Sequence, residues 1–235
     1  MHDESNHATV LVWDLPLRAF HWLLAGSFVG AFLTAESERW RDVHAILGYT
    51  TLAMVAFRIL WGVFGTRYAR FGAFPLAPRR ALAYLRSLVS ARPEHHVGHN
   101  PAGSLAIYAL LILAAATALT GLAAFADGGG KWLGELHEGV ANTMLAVVIV
   151  HIAGVVVGSL AHRENLAAGM LTGRKRGAPG DGISQPRRFV AVALIGLVVS
   201  FWTGLIPTPG LELQQTLISI TSPAHAGVHA GHHDD

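Results

Sequence analysis

The sequence predicts an all-α membrane protein, a four-helix transmembrane bundle followed by a fifth, C-terminal transmembrane helix. The chain is far more apolar than a water-soluble domain of 235 residues, with a mean hydropathy of +0.42 and only 14% charged residues. Five apolar stretches, roughly 16–35, 44–65, 103–126, 137–161 and 189–206, are long enough to cross ~30 Å of hydrocarbon as helices. Histidines recur inside these stretches at helical spacing. His137 and His151 are fourteen residues apart. At 100° per residue that spacing returns to nearly the same face, with about 21 Å between the two along the axis.

The first crossing starts at Asp14-Leu-Pro, where Asp14 suits a helix cap and Pro16 a first turn. Arg18 and His21 follow one turn apart, and Gly26 and Gly30 leave room for a second helix or a planar ligand. The second crossing opens at His44 and carries Arg58 fourteen residues later, on nearly the same face. A guanidinium there either snorkels to the interface or holds an anion. The connection that follows, around RRALAYLRSLVSA, predicts a short amphipathic helix on the membrane surface. Asn100 and Pro101 signal the start of the third crossing, which has small and hydroxyl residues but no histidine and is expected to serve packing. A Gly128-Gly-Gly turn leads to the fourth crossing, with His137 and His151, and then to a basic amphipathic segment. The fifth apolar stretch contains no ionisable residue. Beyond it the tail carries His225, His229, His232 and His233, where metal capture is the minority expectation and a disordered terminus the major one.

Basic residues set the expected topology. Arg67, Arg70, Arg79, Arg80, Arg86 and Arg92 crowd the second connection, and Arg163, Arg174, Lys175, Arg176, Arg187 and Arg188 the fourth. The first and third connections hold only Arg39, Arg41 and Lys131, among several acids. Positive connections stay inside, so the N-terminus is expected in the cytoplasm and the C-terminus outside. The isoelectric point near 9.3 follows from this bias and calls for no nucleic-acid partner; the bilayer is the expected one. With no cysteine, the chain has no disulfide, no thiolate metal site and no C-x-x-C-H attachment of a c-type haem.

This topology sorts four histidines by depth, His44 and His137 toward the outer face and His21 and His151 toward the inner one. One ion cannot bridge layers so far apart, because metal–nitrogen bonds are only about 2 Å long. Zinc or copper would need further ligands in each layer, and no Cys, Asp or Glu recurs there. A haem needs only two axial imidazoles, so two b haems are expected, ligated by the pairs His44/His137 and His21/His151. Arg58, with Arg18 as second candidate, is the expected partner of an inner propionate.

VWDLPLRAFHW (12–22), HAILGY (44–49), FRILWGVFG (57–65), GHNPAGSL (98–105), LHEGVANTMLAVVIVHIAG (136–154), HRENL (162–166) and MLTGRK (170–175) resemble the bacterial cytochrome b561 and hydrogenase-type cytochrome b family. The resemblance covers roughly residues 12–176. It implies four helices holding two b haems, ligand roles for the same four histidines, and electron exchange with the quinone pool. The expected organisation is a cytoplasmic arm (1–12), a di-haem four-helix domain (13–176), a linker (177–187), a fifth transmembrane helix (188–207) and a periplasmic His-rich tail (208–235).

The function expected from these readings is electron transfer between quinone or quinol and a periplasmic redox protein, a c-type cytochrome or a dehydrogenase or hydrogenase subunit. A freestanding quinol oxidase is the rival within the family. A proton-relay transporter is the rival from another class, but the broken helices and inverted repeat it calls for are not seen. Arg39, Trp40, His99 and His162, near helix ends, are candidates for a quinone site.

Overall fold

Asp14 caps the first helix as its position suggests. Its carboxylate accepts the Leu17 amide at 2.8 Å, and α1 (Leu15–Thr34) begins with proline in its first turn. The computed structural model describes residues 8–74, 76–88, 90, 94–126 and 130–207. After α1, a 3-10 turn (Glu38–Trp40) reverses the chain into α2 (Arg41–Phe64). The amphipathic α3 (Pro78–Ser87) lies where the basic, apolar-striped segment predicts it. It is followed by α4 (Pro101–Ala126), with Asn100 accepting the Gly103 amide at 2.7 Å. The longest helix is α5 (Lys131–His162), and α6 (Leu166–Thr172) and α7 (Arg188–Trp202) complete the set.

Four of these helices, α1, α2, α4 and α5, are long and apolar enough to cross a membrane, and the chain is a multi-pass membrane protein. They pack in chain order: α1 lies against α2, α2 against α4, and α4 against α5, while α7 leans on α1. By contrast α5 stands off from α1 and α2, with almost no close backbone approach to either. His137 and His151 of α5 therefore border a gap in the bundle.

The fifth apolar stretch forms a shorter helix than the expected crossing of 188–207. With 15 residues α7 spans about 22 Å, less than the ~30 Å of hydrocarbon. The helix stops before Gly204, which sits at φ +77°. Trp202 at its end donates its Nε1–H to the Thr50 hydroxyl at 2.9 Å, in the body of α2.

Residues 8–11, within the expected arm of residues 1–12, form β1 (Ala8–Leu11), antiparallel to β2 (Arg174–Gly177) with Ala8 opposite Gly177 and Leu11 opposite Arg174. The basic segment after α6 is thus partly a strand. The linker is also tied down, since the Ile183 amide donates to Leu11 O at 2.7 Å and the Leu15 amide to Pro186 O at 3.0 Å. Gly173 is required where α6 turns into β2. Its φ is +81°, its carbonyl accepts the Val12 and Trp13 amides, and a Cβ there would come within 2.7 Å of Trp13 O. The histidine-rich tail lies outside the described residues.

The end where α1 starts is further fixed by Asp14, which is fully buried. Beyond its capping bond it accepts the Trp61 indole N–H at 3.0 Å and the Thr66 hydroxyl at 2.6 Å. One carboxylate thereby ties the start of α1 to the end of α2. Around it Val12, Trp13, Leu17, Phe20, Met54, Tyr68 and residues of α7 form one apolar core. A second core of Phe28, Val55, Ala114 and Met144 lies midway along the bundle.

Candidate cofactor site

Of the expected ligands, the structure brings His44 and His137 together across the gap between α2 and α5. Their ring centroids are 6.0 Å apart with planes at 89°. Two imidazoles sharing one ion with bonds of about 2 Å would have centroids roughly 6 Å apart, so the spacing suits a bis-histidine centre. The hydrogen bonds agree. His44 Nδ1 is 2.8 Å from Ala31 O, and His137 Nδ1 is 3.0 Å from Thr117 O. A carbonyl only accepts, so each Nδ1 carries its ring's proton and each Nε2 keeps a free lone pair. The Thr120 hydroxyl lies 3.3 Å from the same His137 nitrogen.

A cavity of about 330 Å³ surrounds these two rings, within the range of cofactor pockets. Phe28, Phe32, Ala31, Gly48, Leu52, Ala118, Gly121, Leu122 and Phe125 give it apolar walls. Gly121 matters sterically, because a Cβ at this position would come within 2.8 Å of His137 Cε1. A smaller cavity of about 220 Å³, lined by Ser37, Glu38 and Arg41, continues from His44 toward the turn between α1 and α2.

His21 and His151 are neighbours at the other end of the bundle, whereas Arg58 lies within electrostatic reach of Asp14, Tyr108 and His99. His151 lies within electrostatic reach of His21, whose Nδ1 is buried without a hydrogen-bond partner. Arg58 does not snorkel. It is 1% exposed, its guanidinium lying 4.8 Å from the Phe71 ring, 5.5 Å from Phe74 and 6.0 Å from Phe20, and both its terminal nitrogens lack a partner. A buried cation with unmet donors is costly unless an anion completes it, which suits a carboxylate-bearing cofactor. Arg18, the second candidate, is already engaged, its Nε donating to Met170 O at 3.4 Å.

The four candidates for a quinone site are not brought together. Arg39 and Trp40 sit exposed on the outer 3-10 turn, and the Arg39 guanidinium lies 5.5 Å from the Trp40 ring. His162 is hydrogen-bonded to the Tyr84 hydroxyl at 3.0 Å. His99 lies between Trp13 (4.4 Å) and Phe74 (4.5 Å), its ring tilted against both. Burial, with Arg58 and Lys175 nearby, pushes its pKa down to about 3, so it is neutral at physiological pH.

Sequence reasoning missed the contribution of α4. That helix supplies no ligand, yet its Thr117 carbonyl fixes the tautomer of His137, and its Gly121 makes room for the ring. A backbone carbonyl has no side-chain signature, and only the glycine could have hinted at a close approach. The aromatic cage of Arg58 was equally hidden, because Phe71 and Phe74 lie in a connection outside any helical pattern.

Residues 12–173 match the profile of the family described as prokaryotic cytochrome b561. Among curated proteins, the chain is 28% identical over 154 residues to a probable Ni/Fe-hydrogenase B-type cytochrome subunit of Azotobacter vinelandii, covering 54% of this chain and 63% of the relative. It is 29% identical over 161 residues to the subunit of the same name from Azotobacter chroococcum mcd 1, covering 56% and 66%. A probable Ni/Fe-hydrogenase 1 B-type cytochrome subunit of Escherichia coli K12 is 22% identical over 150 residues, covering 52% and 63%. The matched stretch spans less than two thirds of the length of these relatives. No solved structure matches the chain.

Proposed function

The chain belongs to the prokaryotic cytochrome b561 family, and from that premise we propose that it is a di-haem cytochrome passing electrons between the quinone pool and a periplasmic redox partner. Family membership makes it a membrane b-type cytochrome, whose task is electron transfer. The finer reading rests above all on the pairing of His44 with His137, each Nδ1 held by a carbonyl and each Nε2 free. When bound, a bis-imidazole b haem supplies a one-electron couple with no open iron position, which suits transfer and not oxygen activation.

The residues divide the work by depth. His44 and His137 hold the outer centre, and Ala31 O and Thr117 O keep the two rings oriented. His21 and His151 hold the inner centre. Arg58, desolvated among three phenylalanines and with both terminal nitrogens lacking a hydrogen bond, binds a propionate there, with Arg18 as the second candidate. The walls of Gly48, Gly121 and apolar side chains admit a planar macrocycle and exclude water.

The N-terminus is cytoplasmic in this reading, because the basic connections all lie at the end where α1 starts and α5 finishes. A fifth crossing would need the apolar residues to Ile206 as well as α7, and it is supported by the absence of any ionisable residue over 189–206 and by the packing of α7 along α1. The names of the relatives favour a hydrogenase as the partner.

Purification from native membranes tests the whole reading. A pyridine haemochrome assay should give two b haems per chain, and co-purifying proteins should include a periplasmic redox subunit. A haem-free or single-haem protein would defeat the di-haem reading. A chain that purifies alone and oxidises quinol would instead be a freestanding quinol oxidase.

A further inference from the structure

On α5, Met144 lies seven residues from His137 and seven from His151. Two helical turns each way keep all three near one face and put the methionine about 10 Å along the axis from either histidine. It is 3% exposed and packs with Phe28 and Val55. Phe28 is seven residues beyond His21 on α1, and Val55 lies on α2 eleven residues after His44 and three before Arg58. Phe28, Thr51 and Thr117 line the deep end of the outer cavity, so this core is its floor.

Two atoms of Thr117 link that floor to the outer ligand. Its carbonyl accepts from His137 Nδ1 at 3.0 Å, and its hydroxyl donates to Met144 Sδ at 3.9 Å. The floor is otherwise apolar, for the Thr51 hydroxyl is turned back onto Leu47 O of its own helix. Electron tunnelling decays steeply with distance and is faster through packed and bonded atoms than across a void. A long, polarizable side chain fills such a path with few gaps.

We propose that Met144, held by Thr117, is the bridging side chain through which electrons cross between the inner and outer layers. The proposal rests on the two-haem reading. One electron leaves a ferrous centre in one layer and reduces a ferric centre in the other. No bond forms or breaks and no proton is taken up at Met144, whose thioether has no proton to exchange.

The position is testable without any turnover. The chain has four methionines, Met1, Met54, Met144 and Met170. In protein labelled with methyl-13C methionine, the Met144 signal, assigned by its loss in Met144→Leu, should be paramagnetically shifted in the oxidised protein. It should move in two steps as the two centres are reduced in turn. The role is tested by flash reduction with a ruthenium tris-bipyridine photosensitiser, following redistribution of the electron between the two centres. Met144→Ala opens a void and should slow redistribution several-fold at unchanged haem content and midpoint potentials. Met144→Leu, which keeps the volume, should restore most of the rate.

A Met144 methyl signal that ignores one of the two reductions overturns the bridge, as does an unchanged redistribution rate in Met144→Ala with both haems retained. A wild-type protein with fewer than two haems overturns the two-haem reading itself.

Discussion

His44 and His137 face each other edge-on with ring centroids 6.0 Å apart, although ninety-three residues separate them in the chain. Each ring has its Nδ1 on a backbone carbonyl of a third or fourth helix, Ala31 of α1 and Thr117 of α4. All four crossing helices thus converge on one pair of imidazoles. Replacing either ring by alanine should halve the haem per chain, and His151→Ala should do the same by emptying the other layer. Haemochrome stoichiometry against protein concentration checks both; loss of both haems from either single variant with the bundle still folded would mean that the layers are not independent.

Gly121→Ala should act on the outer layer alone. Its new methyl would meet His137 Cε1 at 2.8 Å and Nδ1 at 3.1 Å, so the ring must leave its bond to Thr117 O. The expected outcome is reduced occupancy or a high-spin signal for the outer haem with an unaltered inner one, read by optical and electron paramagnetic resonance spectra.

Arg58→Gln should lower the inner midpoint potential. The oxidised haem is one unit more positive than the reduced one, so a neighbouring cation disfavours it, and removing that cation stabilises it. The shift is expected on the order of tens of millivolts, the size depending on the local dielectric, and larger at the inner than the outer centre. Redox titration decides; an unchanged inner potential with both haems present would show that the buried guanidinium serves packing alone.

Asp14→Ala should destabilise the inner end. It removes a helix cap and leaves the Trp61 indole and the Thr66 hydroxyl without their acceptor. A loss of about 2–4 kcal/mol is expected, measured as a lower midpoint for thermal release of haem absorbance.

Acid should weaken the fold through His99. Its native pKa of about 3 lies below the unfolded value of 6.5, so the unfolded chain takes up a proton that the native one refuses. Stability contributed by the neutral ring is therefore complete above pH 6.5 and is lost progressively as pH falls toward 3. His99→Phe keeps an aromatic ring between Trp13 and Phe74 and should flatten this part of the stability–pH curve, as followed by denaturation at stepped pH.

Several features were legible in the sequence because they are local. Asp14 and Asn100 cap α1 and α4 within three residues of themselves, and the amphipathic α3 follows from its own periodicity. The end of α7 was harder to read. Apolar composition runs on to Ile206, but the helix stops short of Gly204, so composition overstated its length. The pairing of β1 with β2 was out of reach, since their partners lie more than 160 residues apart and neither tetrapeptide has a strand pattern of its own.

The sequence by itself determined the membrane class, the four long crossings and the place of each histidine along its helix, because hydropathy and helical rise are properties of one segment at a time. Only the tertiary structure decided what each buried group meets: the carbonyls of Ala31 and Thr117 on the imidazoles, the phenylalanine cage around Arg58, and the contact of Thr117 with Met144. These partners come from other helices and connections, and two of them are backbone atoms of a kind that every residue possesses. No pattern of side chains along the chain can announce them, since they exist only once the helices have packed.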